Sequence, residues 1–286
     1  MGAVNFSLDP GLVLLLKHEL PLSIFVETGS FEGDTVQSVR PLFDRIYTVE
    51  LVEKYFQKVF ERFKDDPSIT ARFQSSPEFL RQLKPSLENA SVLYWLDAHW
   101  CMEGETEGKE SQCPLIEELE AIGHLNTESV ILIDDARLFL GPPPPPYESS
   151  QWPVFSDILS KLIMLNSLHE LMVINDVMVF YPRSSRESIK QYAIGKSVDW
   201  LNVFDKSRDY DVLLQQLTCK EEEIQQTKWK EEKIQQQHGD IMTLLGEIRK
   251  LRRSNYYRLG FFLLNPWRAV HELFRSSSSG SGDSQL

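Results

Sequence analysis

Phe25-Val26-Glu27-Thr28-Gly29-Ser30-Phe31-Glu32-Gly33 begins as a strand and ends as a glycine turn. Ser23 to Glu27 is the apolar strand candidate, and Thr35 to Leu42 reads as the helix after it. Gly29 and Gly33 stand between them, where a backbone without Cβ turns sharply and lets a ligand approach closely. The spacing is not the dinucleotide Gly-x-Gly-x-x-Gly pattern, and Glu27 just before the turn would repel phosphate. The turn therefore suits a neutral or cationic cofactor. Working outward, Glu50, Asp97 in Asp97-Ala98-His99, and Asp134-Asp135 each stand where another apolar run ends. Strand ends at one edge of a parallel sheet share a single crevice, so these residues are expected to meet.

The remaining elements follow in alternation. Helices are expected at Pro10 to Leu20, Val52 to Phe63, near Glu78 to Leu83, at Cys113 to Gly123 and at Phe155 to Leu165. Strands are expected at Arg45 to Val49, Ile69 to Gln74, Ser91 to Leu96 and Ser129 to Ile133. Glu170 to Ile174 and Val177 to Tyr181 read as a hairpin around Asn175-Asp176. The alternation implies βα units and a mostly parallel sheet. Two long irregular stretches, Trp100 to Gln112 and Leu138 to Gln151, follow acidic strand ends, as binding loops or lids do. The second holds five consecutive prolines, Pro142 to Pro146, which serve either as a stiff lid wall or as a ligand for a proline-recognising module.

Composition narrows the function classes. With 286 residues, 42% of them hydrophobic, the chain can bury one sizeable core and carry an appendage. A net charge of -12 argues against nucleic acid as the partner. The three cysteines form neither a Cys-x-x-Cys pair nor a zinc pattern, so a reducing compartment is expected. Met1 to Pro10 lacks the basic region of a leader and Leu12 to Leu16 is too short for a span, so the expected location is cytoplasmic. Charge is uneven, however. Arg249 to Arg275 carries about +6 and the remainder about -18.

Phe25 to Gly33 followed by Val49-Glu50 resembles the first two motifs of class I S-adenosylmethionine-dependent methyltransferases, and the Glu170 to Tyr181 hairpin is similar to that family's last two strands. The likeness covers roughly residues 10 to 182. It implies an α/β fold, a Rossmann-like seven-stranded methyltransferase sheet with a terminal antiparallel hairpin. By this resemblance S-adenosylmethionine is the cofactor. Glu27, Thr28, Gly29, Ser30 and Gly33 would border its methionine part, Glu50 its ribose, and Ser75 and Ser76 its adenine. Asp97 would lie near the amino-acid end or a bound metal.

Asp97, Asp134 and Asp135 would repel one another unless protonated or neutralised by a cation. Oxygen ligands without cysteine favour a hard ion, magnesium, calcium or manganese. The arrangement resembles metal-dependent O-methyltransferases, in which the acids after the fourth and fifth strands hold the ion. Asp135 departs from the asparagine often found there, and Asp97-Ala98-His99-Trp100 is not that group's usual run. A loop-capping role for Asp134-Asp135 is the alternative. Asp97 and His99 are the catalytic candidates, with His99 either the base that takes a hydroxyl proton or a metal ligand. Trp100, Arg137 and Tyr147 are candidates for contact with a sugar or glycan acceptor.

The expected organisation is a methyltransferase domain over 1–183, a linker or cap over 184–209, a coiled coil or docking helix over 210–253, a basic amphipathic segment over 254–275 and a disordered tail over 276–286. Ile234, Ile241 and Ile248 recur every seven residues, with Leu217, Ile224 and Leu245 at a companion position that Glu231 and His238 interrupt. This implies a homo-oligomer joined through the helix. Tyr256 to Val270 is rich in aromatic residues and follows a run of arginines, which suits either an anchor on an anionic membrane surface or packing on protein. That tail resembles those of bacterial glycan-assembly enzymes, which implies a peripheral position at the inner face of the membrane. Competing readings are a catalytically inactive methyltransferase-fold scaffold and a metal-dependent hydroxylase or hydrolase.

Overall fold

The computed structural model describes residues 8–99 and 111–253. One compact unit runs to Val198 and a second begins at Asp199. The first contains strands β1 (Ile24–Thr28), β2 (Arg45–Glu50), β3 (Ile69–Phe73), β4 (Val92–Leu96), β5 (Val130–Ile133), β6 (His169–Ile174) and β7 (Val177–Pro182). They form one seven-stranded sheet in the order β3-β2-β1-β4-β5-β7-β6. The first five are parallel, and β7 runs antiparallel to both β5 and β6. This is the Rossmann-like methyltransferase sheet with its terminal antiparallel hairpin.

The helices of this unit are α1 (Pro10–Glu19), α2 (Asp34–Val39), α3 (Glu53–Phe63), α4 (Ser76–Leu87), α5 (Leu115–Ile122), α6 (Phe155–Leu165) and α7 (Arg186–Lys196). Strands β4 and β5 are buried throughout, because they lie at the centre of a sheet covered on both faces. Alternate residues serve the two faces. Val26, Tyr94, Leu96, Ile131 and Phe180 pack with α4, α5 and α6. Phe25, Leu93, Trp95, Leu132 and Tyr181 pack with α1, α2, α3 and α7. The strand order reverses between β1 and β4, which opens a crevice beyond their carboxyl ends.

Two elements depart from the sequence reading. Helix α4 is longer than Glu78 to Leu83, since Ser75 and Pro77 start it and Phe79, Leu80 and Leu87 form its buried stripe. Pro85 is tolerated near the end, where the helix loses one internal hydrogen bond. Residues 186–196, within the stretch read as linker or cap, form α7 against the sheet. Ile189 is fully buried, and the Tyr192 hydroxyl donates to Asp9 Oδ2 at 2.5 Å. Asp9 also caps α1 by accepting from Gly11 N at 2.7 Å, so one carboxylate ties the first helix to the seventh.

The second unit, among the described residues, is a single helix, α8 (Trp200–Arg253), with no buried residue. Residues 254–286, the basic segment and tail of the sequence reading, lie outside the described residues. No helix among the described residues is long and apolar enough to cross a membrane.

If α7 is an integral layer, Ile189→Ala leaves a cavity and lowers unfolding free energy by about 2–4 kcal/mol in denaturant titration. A loss under about 0.5 kcal/mol, the range of surface substitutions, would show that α7 is dispensable.

Candidate functional site

Backbone hydrogen bonds anchor the glycine turn. Gly29 N and Ser30 N both donate to Val49 O, at 3.0 and 3.1 Å, and Gly33 N donates to Ser30 O at 2.8 Å. Gly29 has φ +82, and a Cβ there would lie 2.3 Å from the carbonyl oxygen of Asp97. The turn thus crosses the end of β4 as closely as only glycine permits. Gly33, at φ 79, opens α2. Between them Phe31 is also left-handed, at φ 47, an uncommon conformation for a bulky residue, with its ring 4.4 Å from that of Tyr55.

Glu50 holds this strained residue. Its Oε2 accepts from Phe31 N at 2.8 Å, and its Oε1 accepts from Leu51 N and Val52 N at 2.9 Å each. A carboxylate has about four acceptor positions, so about one remains for a ribose hydroxyl. Burial nevertheless raises the Glu50 pKa, against these three lowering hydrogen bonds. Glu27 lies deeper, 1% exposed. It accepts from the Thr48 hydroxyl at 2.6 Å, and that hydroxyl is hydrogen-bonded to Ser30 Oγ. Burial, with the charges of Asp97 and Glu50 nearby, pushes the Glu27 carboxyl up to about 8.

At the ends of β4 and β5 the acids gather as expected. Asp97 N donates to both the carbonyl and the hydroxyl of Thr28, at 3.1 and 3.2 Å. Burial and the charges of Asp134 and Asp135 push the Asp97 carboxyl up to about 7. His99 Nε2 donates to Asp135 Oδ2 at 2.9 Å and lies 3.8 Å from Asp97 Oδ1. Burial works against a charged imidazole, but Asp135 and Asp97 outweigh it, and the His99 pKa rises. Asp135 is correspondingly lowered: burial opposes ionisation, and the His99 hydrogen bond and the His99 and Arg137 charges overcome it.

Arg137, read from sequence as an acceptor contact, supplies the positive charge among these acids. Its guanidinium donates to Asp135 Oδ1 at 2.7 Å and is ion-paired with Asp176. Asp134 Oδ1 accepts from Asp135 N at 2.8 Å, the local capping geometry weighed above. Both Asp135 oxygens are thereby engaged, one by imidazole and one by guanidinium. Among the described residues no group of three or more His, Cys, Asp and Glu is placed to hold a metal ion. The structure brings Asp97, Asp134 and Asp135 together as an acid cluster countered by His99 and Arg137.

Three aromatic residues wall this corner. Trp152 meets the ring of His99 at 5.6 Å, that of Phe139 at 5.4 Å and that of Tyr147 at 5.2 Å. Gln112 Oε1 accepts from Trp152 Nε1 at 3.0 Å and from Glu148 N at 2.9 Å, which secures the loop after the prolines. Trp100, the other acceptor candidate, lies outside the described residues.

Glu118 on α5 was not singled out in the sequence. It is 2% exposed, and its Oε1 has no hydrogen-bond partner among the described residues. Burial raises its pKa, against the lowering effect of the Ser76 and Thr28 hydroxyls and of the His99 charge. These neighbours place it beside the start of α4 and the end of β1. The signal was spacing, because Leu115, Glu118, Leu119 and Ile122 form one stripe and the acid interrupts it. Ser75 and Ser76 open α4 after the end of β3. A separate cavity of about 280 Å³, lined by Leu80, Tyr94 and Ile122, also contacts Ser129, just before β5, and Ala90, just before β4. It thus lies at the opposite strand ends and takes no part in the site.

No family model and no curated protein matches the chain. Among solved structures it is similar to a putative caffeoyl-CoA O-methyltransferase from Staphylococcus aureus, at 11% identity over 60% of this chain and 81% of that one, with a TM-score of 0.42. It is also similar to DesVI of Streptomyces venezuelae, at 9% identity over 60% and 89% of the two chains and a TM-score of 0.41. NodS, an N-methyltransferase of Bradyrhizobium japonicum WM9, gives 11% over 59% and 90% and a TM-score of 0.38. Strand order and register, not these likenesses, carry the assignment to a class I methyltransferase-like fold.

The Glu27 carboxyl has a sign consequence. Folded, its pKa is about 8; unfolded, it returns to about 4.5. The folded state keeps a proton that the unfolded state releases, so stability is greatest below the unfolded value and falls as pH rises toward 8. Glu27→Gln removes this loss. Its Tm relative to wild type is expected to rise between pH 5 and pH 9, and a constant difference across that range would show that Glu27 does not titrate abnormally.

Proposed function

We propose that this chain transfers a methyl group from S-adenosylmethionine to a hydroxyl of a sugar or glycan. The observation that carries the reading is an acceptor-rich crevice at the switch point between β1 and β4. Glu27, Glu50 and Asp97 meet there around a glycine turn, with Glu118 beside Thr28 and its Oε1 lacking a partner among the described residues. That set suits a ligand that is cationic and rich in donors, and it is hostile to phosphate. S-adenosylmethionine has that chemistry, and when bound it supplies an already activated methyl group.

The residues then divide the work. Thr28, Gly29, Ser30 and Gly33 shape the turn that admits the cofactor, and Glu50 both holds that turn and offers its remaining acceptor position. Asp97 faces the amino-acid end. Glu118, with Ser75 and Ser76, lines the adenine side. Asp135 orients His99, leaving Nδ1 as the atom to take the acceptor's hydroxyl proton. Because its pKa is raised, His99 gains this capacity as pH climbs above its ordinary value. Tyr147, partly exposed and backed by the buried Trp152 and Phe139, offers an aromatic ring of the kind on which sugars stack.

A metal-assisted version would lower the hydroxyl pKa through a divalent ion on Asp97, Asp134 and Asp135. It would require Asp135 to exchange Arg137 or His99 for the ion. Turnover measured with magnesium, with manganese and with EDTA separates the two versions. The basic aromatic segment 254–275 extends the proposal to a cytoplasmic enzyme held peripherally at an anionic membrane, where a glycan acceptor is assembled.

Calorimetry on the full chain is expected to show micromolar S-adenosylmethionine binding, weakened about tenfold or more by Glu50→Ala and by Glu118→Gln. His99→Asn is expected to retain binding while turnover on sugar acceptors falls by about 10²–10⁴. Wild-type protein that fails to bind the cofactor would exclude methyl transfer, and binding without turnover on any glycan would favour a scaffold.

A further inference from the structure

Helix α8 carries an apolar seam with a charged interruption, and that interruption is informative. Tyr210, Leu217, Ile224 and Leu245 occupy one heptad position, and Leu213, Ile234, Ile241 and Ile248 occupy the other. All eight are exposed, from 42% for Leu245 to 65% for Tyr210. The same two positions also hold Lys220, Thr227, Glu231 and His238. Glu221 and Lys228 flank the seam on one side, and Glu223 and Lys230 on the other. None of Lys220, Glu221, Glu223, Lys228, Lys230 and Glu231 has an ion pair within its own helix, since no bridge of the described residues involves them.

From this we infer that α8 pairs with α8 of a second copy of the chain, antiparallel, in the register that sets Lys220 opposite Glu231. The two-fold symmetry forms that pair twice. The same register sets Glu221 opposite Lys228 on one flank and Glu223 opposite Lys230 on the other, so these six charges each meet an opposite, while Glu222 points away from the seam. It also brings Leu217 onto Ile234, Tyr210 onto Ile241 and Ile224 onto Thr227. The overlap is about 52 residues, or roughly 78 Å of helix, and outside the charge block the register sets Leu213 against His238 and Leu245 against Lys206.

Other pairings lose these contacts. A parallel, in-register pair sets Lys220 against Lys220, Glu231 against Glu231 and His238 against His238. An antiparallel pair shifted by one heptad matches all eight apolar residues with one another, but it sets Lys220 against His238, Lys228 against Lys228 and Lys230 against Lys230. The opposite shift sets Glu231 against Leu213 and Lys220 against Ile224, which buries both charges without a partner.

Sedimentation of the full chain tests the pairing. Wild type is expected to be a dimer at micromolar concentration. Lys220→Glu and Glu231→Lys each turn both symmetry-related pairs into like charges and are expected to raise the dimer dissociation constant about tenfold or more. The two substitutions in one chain restore opposite charges, so dimerisation returns to within about threefold of wild type. In a parallel pair the single substitutions would only exchange one like-charge contact for another. Circular dichroism with unchanged helix content confirms that the variants fold. A monomeric wild type, single variants that dimerise as well as wild type, or a double variant that stays dissociated would each overturn the inference.

Discussion

Six carboxylates come to one buried edge of the sheet, and the rest of the site follows from how their mutual repulsion is contained. Like charges in a poorly solvated place cannot all ionise without help. Three solutions appear side by side. Glu27, Asp97 and Glu118 are driven toward the protonated form by burial. Glu50 and Asp134 accept backbone N–H groups, which also fixes the glycine turn and the end of β5. Asp135 alone is held ionised, between His99 and Arg137. The crevice is thus short of positive charge at its β1 and β2 side and supplied with it at its β5 side. That asymmetry is what the proposed cofactor and proton-acceptor roles rest on.

Much of this architecture was legible because buried parallel strands are short apolar runs, and the functional residues stand where those runs stop. Val92 to Leu96 and Val130 to Ile133 have no polar residue to confuse the reading. What was not legible depended on contacts across the fold. Residues 186–196 bury one large side chain, Ile189, and owe their place to a hydrogen bond from Tyr192 to Asp9, 183 residues away. Glu118 looked like one more surface acid in a helix with Glu117 and Glu120, and only its position on the apolar stripe marked it. Phe31 carried no signal, since nothing in its type announces a left-handed backbone.

The cation needed by the acids after β4 and β5 shows a different limit. From sequence, three carboxylates without cysteine imply a hard metal ion, and that chemistry is sound as far as it goes. Charge balance, however, does not distinguish an ion from a guanidinium. Arg137 is only two residues beyond Asp135, and the left-handed backbone at Asp135 returns the chain so that Arg137 N and the Arg137 side chain both meet Asp176. Asp176 itself comes from the β6–β7 turn. The counter-charge was therefore near in sequence, but its fixing point was supplied from about 40 residues away.

The same physical device recurs in α8 with a different partner. In the crevice, the acids are contained within the chain by burial, by backbone N–H groups and by His99 and Arg137. On α8, the charges between Lys220 and Glu231 have no counterpart in their own helix and are symmetric about its middle. A seam of leucine and isoleucine throughout would bury more apolar surface, but it would accept several registers and both orientations. Interrupting it with charges costs affinity and narrows the alternatives, because the matched register pairs the charges of the block while the others set like charges together or leave them without a counterpart. Stability is given up for a single arrangement in both places, at the site to hold one constellation of side chains and on the helix to select one way for two copies to meet.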